Sequence, residues 1–214
     1  MIRIAVVEDQ TLMRSALISL LDLEDDITVV GEAGRGDEVS ELVHRLKPDV
    51  VLLDIELPGM NGLEALEELR PSHDREPTKP TEGTGAEMPA VIIVTTFGRA
   101  GYLRRAMDAG AKGFLVKDDP VETLAESIRR VAQGEMVIDP LLAAQALSSG
   151  ENPLTERESQ VLLATDGGVP IVDAAEALHL SPSTVRNYLS SAIGKLGARN
   201  RAEALRNARS EGWI

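Results

Sequence analysis

Four apolar runs of this chain end in polar residues that together could handle a phosphoryl group. Glu8-Asp9 follows Ile2–Val7, Asp54 follows Val50–Leu53 with Glu56 close behind, Thr95-Thr96 follows Val94, and Lys117 follows Gly113–Val116. Gathered carboxylates repel and raise one another's pKa unless a cation joins them. A hard divalent ion held by a few carboxylates and waters, Mg²⁺ above all, meets that need, and Lys117 supplies a second positive charge. A phosphoryl group brought to the cluster would find a nucleophilic carboxylate, a metal for its oxygens, and hydroxyl and ammonium donors. Any one of these acids alone reads more simply as a solvated residue at a strand end. The set, each member at the same end of its run, is what points to chemistry.

That chemistry requires a scaffold that brings the ends of the runs together. IRIAVV (Ile2–Val7), ITVVGEA (Ile27–Ala33), VVLL (Val50–Leu53), AVIIVT (Ala90–Thr95) and GFLV (Gly113–Val116) are apolar and largely β-branched, hence strands. Between and after them lie stretches of helical spacing: Thr11–Leu23, Asp37–Leu46 (ended before Pro48), Leu63–Leu69, Arg99–Ala109 and Val121–Gln133. Five β-then-α units in alternation predict an α/β domain, a flavodoxin-like, doubly wound, five-stranded parallel sheet covered on both faces. In such sheets ligands bind outside the carboxyl ends of the strands. The proline-rich segment Pro71–Pro89 interrupts the rhythm and reads as an exposed, mobile loop.

Residues 1–133 make up that domain, 134–151 read as a connector with a short helix begun at Asp139-Pro140, and 152–214 form a small all-α domain. Thr155 with Glu158 sets out a capping box, Ser181-Pro182 an N-cap followed by proline, and Asn200 with Glu203 a second box. Ile171–Leu178, the turn His179–Ser181 and Pro182–Leu196 have the pattern of a helix-turn-helix. Val185, Leu189, Ile193 and Leu196 make the apolar stripe of its second helix. Thr184, Arg186, Asn187 and Ser190 or Ser191 are left on other faces, which suits a major groove where Arg reads guanine and Asn adenine. Lys195 and Arg199 then lie near phosphates, predicting salt-dependent affinity. An ordinary amphipathic bundle with a solvated polar face would share this pattern, and the pattern alone does not separate the two.

Composition fits two such parts. The net charge of −13 is uneven: residues 1–150 carry 15 Lys+Arg against 27 Asp+Glu, whereas residues 186–214 carry six basic residues against two acidic. The acidity belongs to the first part and the basic surface to the end. With 43% apolar residues but 2% aromatic ones, the cores must be packed by aliphatic side chains. Absence of cysteine excludes disulfides and thiolate metal sites and favours a reducing compartment. The N-terminus is too short and acidic for a signal peptide, and no apolar run approaches the roughly 18 residues of a membrane span. A cytoplasmic protein without membrane partners is expected.

The segments VVEDQ, LLDIELPGMNGLE, VTTF and AGAKGFLVKD resemble the receiver domain of two-component response regulators. L-T-x-R-E, S-x-S-T-V-R-N-Y, K-L and N-R-A-E-A resemble the LuxR-type DNA-binding domain of NarL/FixJ-type regulators. The resemblance implies that Asp54 accepts phosphate from a sensor histidine kinase. Glu8, Asp9 and Asp54 would hold Mg²⁺, completed by the main-chain carbonyl of Glu56. Thr95 would bind a phosphoryl oxygen, Lys117 would pair with the phosphate, and Phe114 would be the rotating aromatic switch. Pro58-Gly59 and Gly62 would shape the loop after the acceptor. In the second domain Thr184 and Tyr188 would meet the DNA backbone and Arg186 and Asn187 the bases. Ser190 stands where many members carry a basic residue. GGVPIVDAA is one residue longer than usual before the first helix of the pair and lacks its polar start.

The same resemblance implies a homodimer formed on phosphorylation through the helices of Thr11–Leu23 and Val121–Gln133, bound to promoter DNA at an inverted repeat. LLDLEDDITVVG, TTFGRAGYLRRA and EGW draw the likeness toward regulators of membrane-lipid genes, so lipid or envelope stress is an expected signal. A transcription factor indifferent to phosphate, controlled by a partner or ligand, is the alternative. An enzyme is not expected: Asp54-Ile-Glu56 resembles the DxD of haloacid-dehalogenase-like phosphatases, but that motif belongs at a first strand, occupied here by Glu8-Asp9.

Overall fold

The branched side chains of Val and Ile pack well on a pleated surface, and the five apolar runs are strands: β1 (Ile2–Val7), β2 (Ile27–Ala33), β3 (Val50–Leu53), β4 (Ala90–Thr95) and β5 (Gly113–Val116). The computed structural model describes residues 1–70, 88–96, 98–117, 121–148 and 152–214. Most of the proline-rich segment, residues 71–87, therefore lies outside the described residues. The strands pair in parallel in the order β2-β1-β3-β4-β5, and a sixth, β6 (Val137–Ile138), is added beside β5. This last strand falls in the segment read as a connector. Two residues are too few for an alternating pattern to register, and it is fixed by pairing alone, Val137 N–H donating to the Lys112 carbonyl at 2.9 Å.

The strands are joined by α1 (Thr11–Leu21), α2 (Val39–Leu46), α3 (Gly62–Leu69), α4 (Ala100–Asp108) and α5 (Val121–Ala132). Several ends are shorter than the periodicity suggests. After α1, Leu23 and Glu24 bond back three residues, to Leu20 and Leu21, in tight turns. Asp37 and Glu38 lie in a 3-10 turn, Gly36–Glu38, ahead of α2. Lys47 ends α2 in a left-handed conformation, φ 46°, before Pro48, whose ring disfavours a helical predecessor. One face of the sheet packs Ile4, Val6, Val50, Leu52, Ile92, Val94 and Leu115 against Leu21 of α1 and Leu124 and Ile128 of α5. The alternate residues Ala5, Val7, Val51, Leu53, Val91, Ile93 and Phe114 are equally buried. That double burial explains why these strands read as continuous apolar runs.

The chain divides into two compact units, Met1–Gly98 with Leu103–Leu141, and Leu142–Ile214 with Arg99–Tyr102. The last boundary, between Leu141 and Leu142, lies within the 134–151 segment. There α6 (Pro140–Ser148) starts on proline after Asp139, as its sequence suggests. The helical unit continues with α7 (Glu156–Ala164), α8 (Ile171–Ala177), α9 (Pro182–Lys195) and α10 (Arg201–Ser210). Its core gathers Val161, Leu162, Ala175, Val185, Leu189, Ala192, Leu205 and Ala208, with Leu178, Ile193 and Leu196 packed against it. Ser181 caps α9 by accepting from the Thr184 N–H at 3.1 Å, with Pro182 at the first helical position. Asn200 caps α10 through the Glu203 N–H. The reciprocal half of that box is displaced by one residue, because Glu203 reaches back to the N–H of Arg199 at 2.7 Å. Among the described residues no helix is long and apolar enough to cross a membrane.

Candidate functional site

Strand order reverses between β1 and β3: the chain steps from β1 outward to β2, then returns past β1 to β3. A crevice opens at such a point beyond the carboxyl ends of the strands. Register makes the two ends coincide, since Val7 pairs with Leu53. The next residues, Glu8 and Asp54, are held side by side by the Asp54 N–H donating to the Val7 carbonyl at 3.0 Å. Carboxylate oxygens of Glu8, Asp9 and Asp54 all lie within 4.8 Å of one another. Glu8 and Asp54 are buried, whereas Asp9 is exposed at the mouth.

The cation in this cluster is Lys117. Its ammonium donates to Glu8 Oε2 at 2.6 Å and Asp54 Oδ2 at 2.9 Å, and its side chain is 5% exposed. Burial pushes the Glu8 carboxyl up, and the hydrogen bond from Lys117 only partly opposes it. Burial would lower the Lys117 ammonium, but its bonds to the two carboxylates prevail and hold it above the ordinary lysine value. The lysine therefore stays charged and keeps the acids together. Asp54 Oδ1 accepts the Ile55 N–H at 2.7 Å, fixing the side chain's orientation. Thr95, at the end of β4, is fully buried, and its carbonyl accepts the Lys117 N–H at 2.9 Å. Glu56 is exposed, two residues beyond the acceptor. Phe114 is wholly buried in β5, between Ile93 and Ile138.

The loop after Asp54 is shaped by glycine at two points. Gly59 has φ +81°, a conformation that side chains with a Cβ resist. Gly62 donates its N–H to the Ile55 carbonyl at 2.9 Å, and a Cβ there would stand 1.9 Å from the Asp54 carbonyl oxygen. Gly62→Ala must push that backbone aside. The expected cost is about 2 kcal/mol, the ordinary range for overpacking, read as a lower denaturation midpoint together with altered reactivity of Asp54. Sequence reasoning missed two contributors here. Asn61 and Glu64 form a full capping box at α3, with bonds of 2.9–3.1 Å, and the N-x-x-E spacing could have revealed it. Arg14 of α1 donates to the Glu8 carbonyl and pairs with Glu32 of β2 at 3.0 Å. No local pattern announces that contact.

In the helical unit, Arg186, Asn187 and Ser190 are exposed on α9, and Thr184 is half-buried beside Ser181, the two hydroxyl oxygens 2.8 Å apart. Tyr188 is half-buried against the core. Ser191 is exposed as well but differs in having a partner: it donates to Glu158 Oε1 at 2.6 Å. Lys195 donates to Glu158 Oε2 at 2.6 Å, and Arg199 pairs with Glu203 at 3.2 Å. α8 begins on Pro170 without a side-chain cap, consistent with the apolar start seen in the sequence. Ahead of α8, Gly167 and Gly168 both have positive φ.

Glu158 is 4% exposed and closes the capping box of α7 by accepting the Thr155 N–H at 2.7 Å. Burial raises its carboxyl, but Lys195, Ser191 and Thr155 overcome that effect and hold it at about 2. A carboxyl lower in the folded than in the unfolded chain contributes stability above its unfolded pKa, and that stability is lost as pH falls toward the folded value. The wild type should therefore exceed Glu158→Gln by about 2 kcal/mol at pH 6, the scale of hydrogen bonds to a charged group. The gap should close as pH falls from the ordinary carboxylate range to about 2. Trp213 is the single tryptophan and reports unfolding of this unit by fluorescence.

Comparisons with known proteins bear on both units. Residues 4–129 match the response regulator receiver domain, and residues 152–208 match the luxR family of bacterial regulatory proteins. The chain is 43% identical over 214 residues to the transcriptional regulatory protein DesR of Bacillus subtilis, covering 100% of both chains. It is 32% identical over 211 residues to the nitrate/nitrite response regulator protein NarL of Escherichia coli, covering 94% of this chain and 92% of NarL. Among solved structures, the response regulator ChrA of a heme-sensing two-component system is similar, with TM-score 0.53 and 31% identity over 100% of this chain and 98% of that one. The acid-and-lysine crevice at the sheet's switch point and the helix-turn-helix beyond it thus belong to a chain that is a member of the response regulators, with a receiver domain followed by a LuxR-type DNA-binding domain.

Proposed function

We propose that this response regulator is switched by phosphorylation of Asp54 from a sensor histidine kinase, and that the switch drives dimerisation and sequence-specific binding to promoter DNA. The observation that carries the proposal is the buried Glu8–Lys117–Asp54 cluster, open to solvent at Asp9. Its donors are hard oxygens gathered around one point, a set that fits Mg²⁺. Glu8, Asp9 and Asp54 would hold the ion, with the main-chain carbonyl of Glu56. When bound, it neutralises the acids and withdraws charge from phosphoryl oxygens. An Asp54 oxygen then forms the new bond to phosphorus while the phosphohistidine N–P bond breaks, leaving the imidazole on the kinase. Lys117, already on Asp54 Oδ2, pairs with the added phosphate, and the Thr95 hydroxyl binds one of its oxygens. Repacking of Phe114 carries the change to the surface of α4 and β5. No catalytic turnover of the protein's own is part of this reading.

Dimerisation through α1 and α5 is supported by apolar side chains left in water around α1: Leu12, Leu20 and Leu23 are exposed, Leu12 by 86%. Between the two helices Met13, Leu17, Leu20 and Leu124 line a groove of about 250 Å³. On α5 the apolar side chains Leu124, Ala125 and Ile128 are buried, so the exposed apolar surface comes from the α1 side. Two α9 helices spaced about 34 Å apart would read an inverted repeat, with Arg186 and Asn187 on bases and Thr184, Tyr188 and Ser190 beside them. We place the protein in the cytoplasm, where kinase and promoter meet, and propose lipid or envelope genes as its regulon. Sedimentation with acetyl phosphate and Mg²⁺ tests the switch: a shift from monomer to dimer supports it, and an unchanged monomer overturns it.

A further inference from the structure

Lys195 sits in the basic tail and looks from sequence like a contact for DNA phosphates, yet its charge is already taken. Its ammonium is 2.6 Å from Glu158 Oε2, while Ser191, one turn earlier on α9, donates to the other oxygen of the same carboxylate. Glu158 is almost fully buried and is itself anchored at the start of α7 by the Thr155 N–H. Arg186, at the other end of α9, is exposed as Lys195 is, but by contrast makes no ion pair among the described residues. The two ends of the recognition helix thus differ in kind. The N-terminal half offers a free cation, and the C-terminal half is clamped to α7.

We propose that Glu158 acts as an internal counter-ion for Lys195, so that Lys195 is a positioning residue that sets the orientation of α9 and makes no contact with DNA phosphate. This rests on the DNA-binding reading above and deepens it. A buried carboxylate bonded at both oxygens holds α9 against α7 at two points one helical turn apart, which resists rotation of α9 about its own axis. Such rotation would move Arg186 and Asn187 off the base edges. Using the one cation for both tasks would force a choice, because a lysine drawn to phosphate leaves Glu158 buried and unpaired.

Counter-ion release separates the two roles. Each phosphate neutralised contributes about −0.9 to the slope of log K against log salt for duplex DNA. The full-length protein, treated with acetyl phosphate and Mg²⁺, is titrated with a random-sequence duplex over a range of KCl and with a duplex selected from a random pool by the wild type. Lys195→Gln should change the slope on random duplex by less than about 0.3, while reducing preference for the selected duplex about tenfold and lowering the melting midpoint read from Trp213. Glu158→Gln, which frees the ammonium, should steepen the slope by about 0.9, and adding Lys195→Gln should remove that increment. A slope flattened by about 0.9 in Lys195→Gln alone would overturn the inference, whether or not Glu158→Gln folds. So would a folded Glu158→Gln with the wild-type slope. A wild type with no salt dependence on either duplex would instead refute the DNA-binding reading itself.

Discussion

Asp54→Asn should abolish phosphate-stimulated dimerisation and DNA binding while leaving the fold intact. The amide is nearly isosteric with the carboxylate and can still accept the Ile55 N–H that Asp54 Oδ1 accepts at 2.7 Å. It lacks the nucleophilic oxygen pair on which phosphoryl transfer depends. Lys117 would keep Glu8 as a partner at 2.6 Å, so the cluster loses one negative charge and not its cation. Wild type and variant are compared by gel shift on a selected duplex, with and without acetyl phosphate and Mg²⁺. The wild type should gain at least about tenfold in affinity, the scale of a coupling of roughly 1.4 kcal/mol, and the variant should gain nothing. An Asn variant that responds as the wild type does would rule out Asp54 as the acceptor, whereas a wild type indifferent to acetyl phosphate would favour control by a partner or ligand.

The second large effect is expected at Lys117. Replacing it with Met keeps the aliphatic stem but leaves Glu8 and Asp54, both almost wholly buried, facing each other without an ammonium. Removing one member of a buried ion cluster costs about 3 kcal/mol or more, which for this size of unit lowers the melting midpoint by roughly 10 °C. Two features make the prediction specific. Added Mg²⁺ should restore more stability to the variant than it gives the wild type, because the ion becomes the remaining counter-charge. The deficit should also shrink as pH falls, since burial already raises the Glu8 carboxyl and protonation there relieves the repulsion. Phosphorylation by acetyl phosphate should slow about a hundredfold, as when one charge-stabilising donor is lost from a transition state. Circular dichroism melts with and without Mg²⁺ at two pH values provide the check. Identical responses of both proteins to Mg²⁺ would contradict the role given to Lys117.

The parts of this molecule legible in its sequence are those whose cause is local. A strand buried on both faces must be apolar throughout, so Val50–Leu53 reads as such, and a charged Asp54 at its end stands out. Helix starts are written in one or two side chains: Thr155, Ser181 and Asn200 all cap, although only Thr155 closes its box, Glu203 reaching Arg199 and not Asn200. What could not be read depends on residues far apart in the chain. Arg14 meets Glu32 across 18 positions, and Glu158 meets Ser191 and Lys195 across 33 and 37. No periodicity encodes such pairs; they follow from how α1 lies on the sheet and α7 on α9. Helical spacing left Ser190 and Ser191 as alternatives for the groove face; both are exposed, and Ser191 is the one bonded to the distant Glu158. The strand Val137–Ile138 escaped for a simpler reason: its identity lies in its partner β5 and not in its own residues.

The central claim concerns one side chain, so the most direct measurement is mass spectrometry of the full-length protein after incubation with acetyl phosphate, with and without Mg²⁺. Reduction with borohydride to trap an acyl phosphate, followed by peptide mapping, locates the modified residue. The account predicts a single Mg²⁺-dependent phosphoryl adduct at Asp54. An unmodified protein, or an adduct on another residue with Asp54 intact, would contradict it.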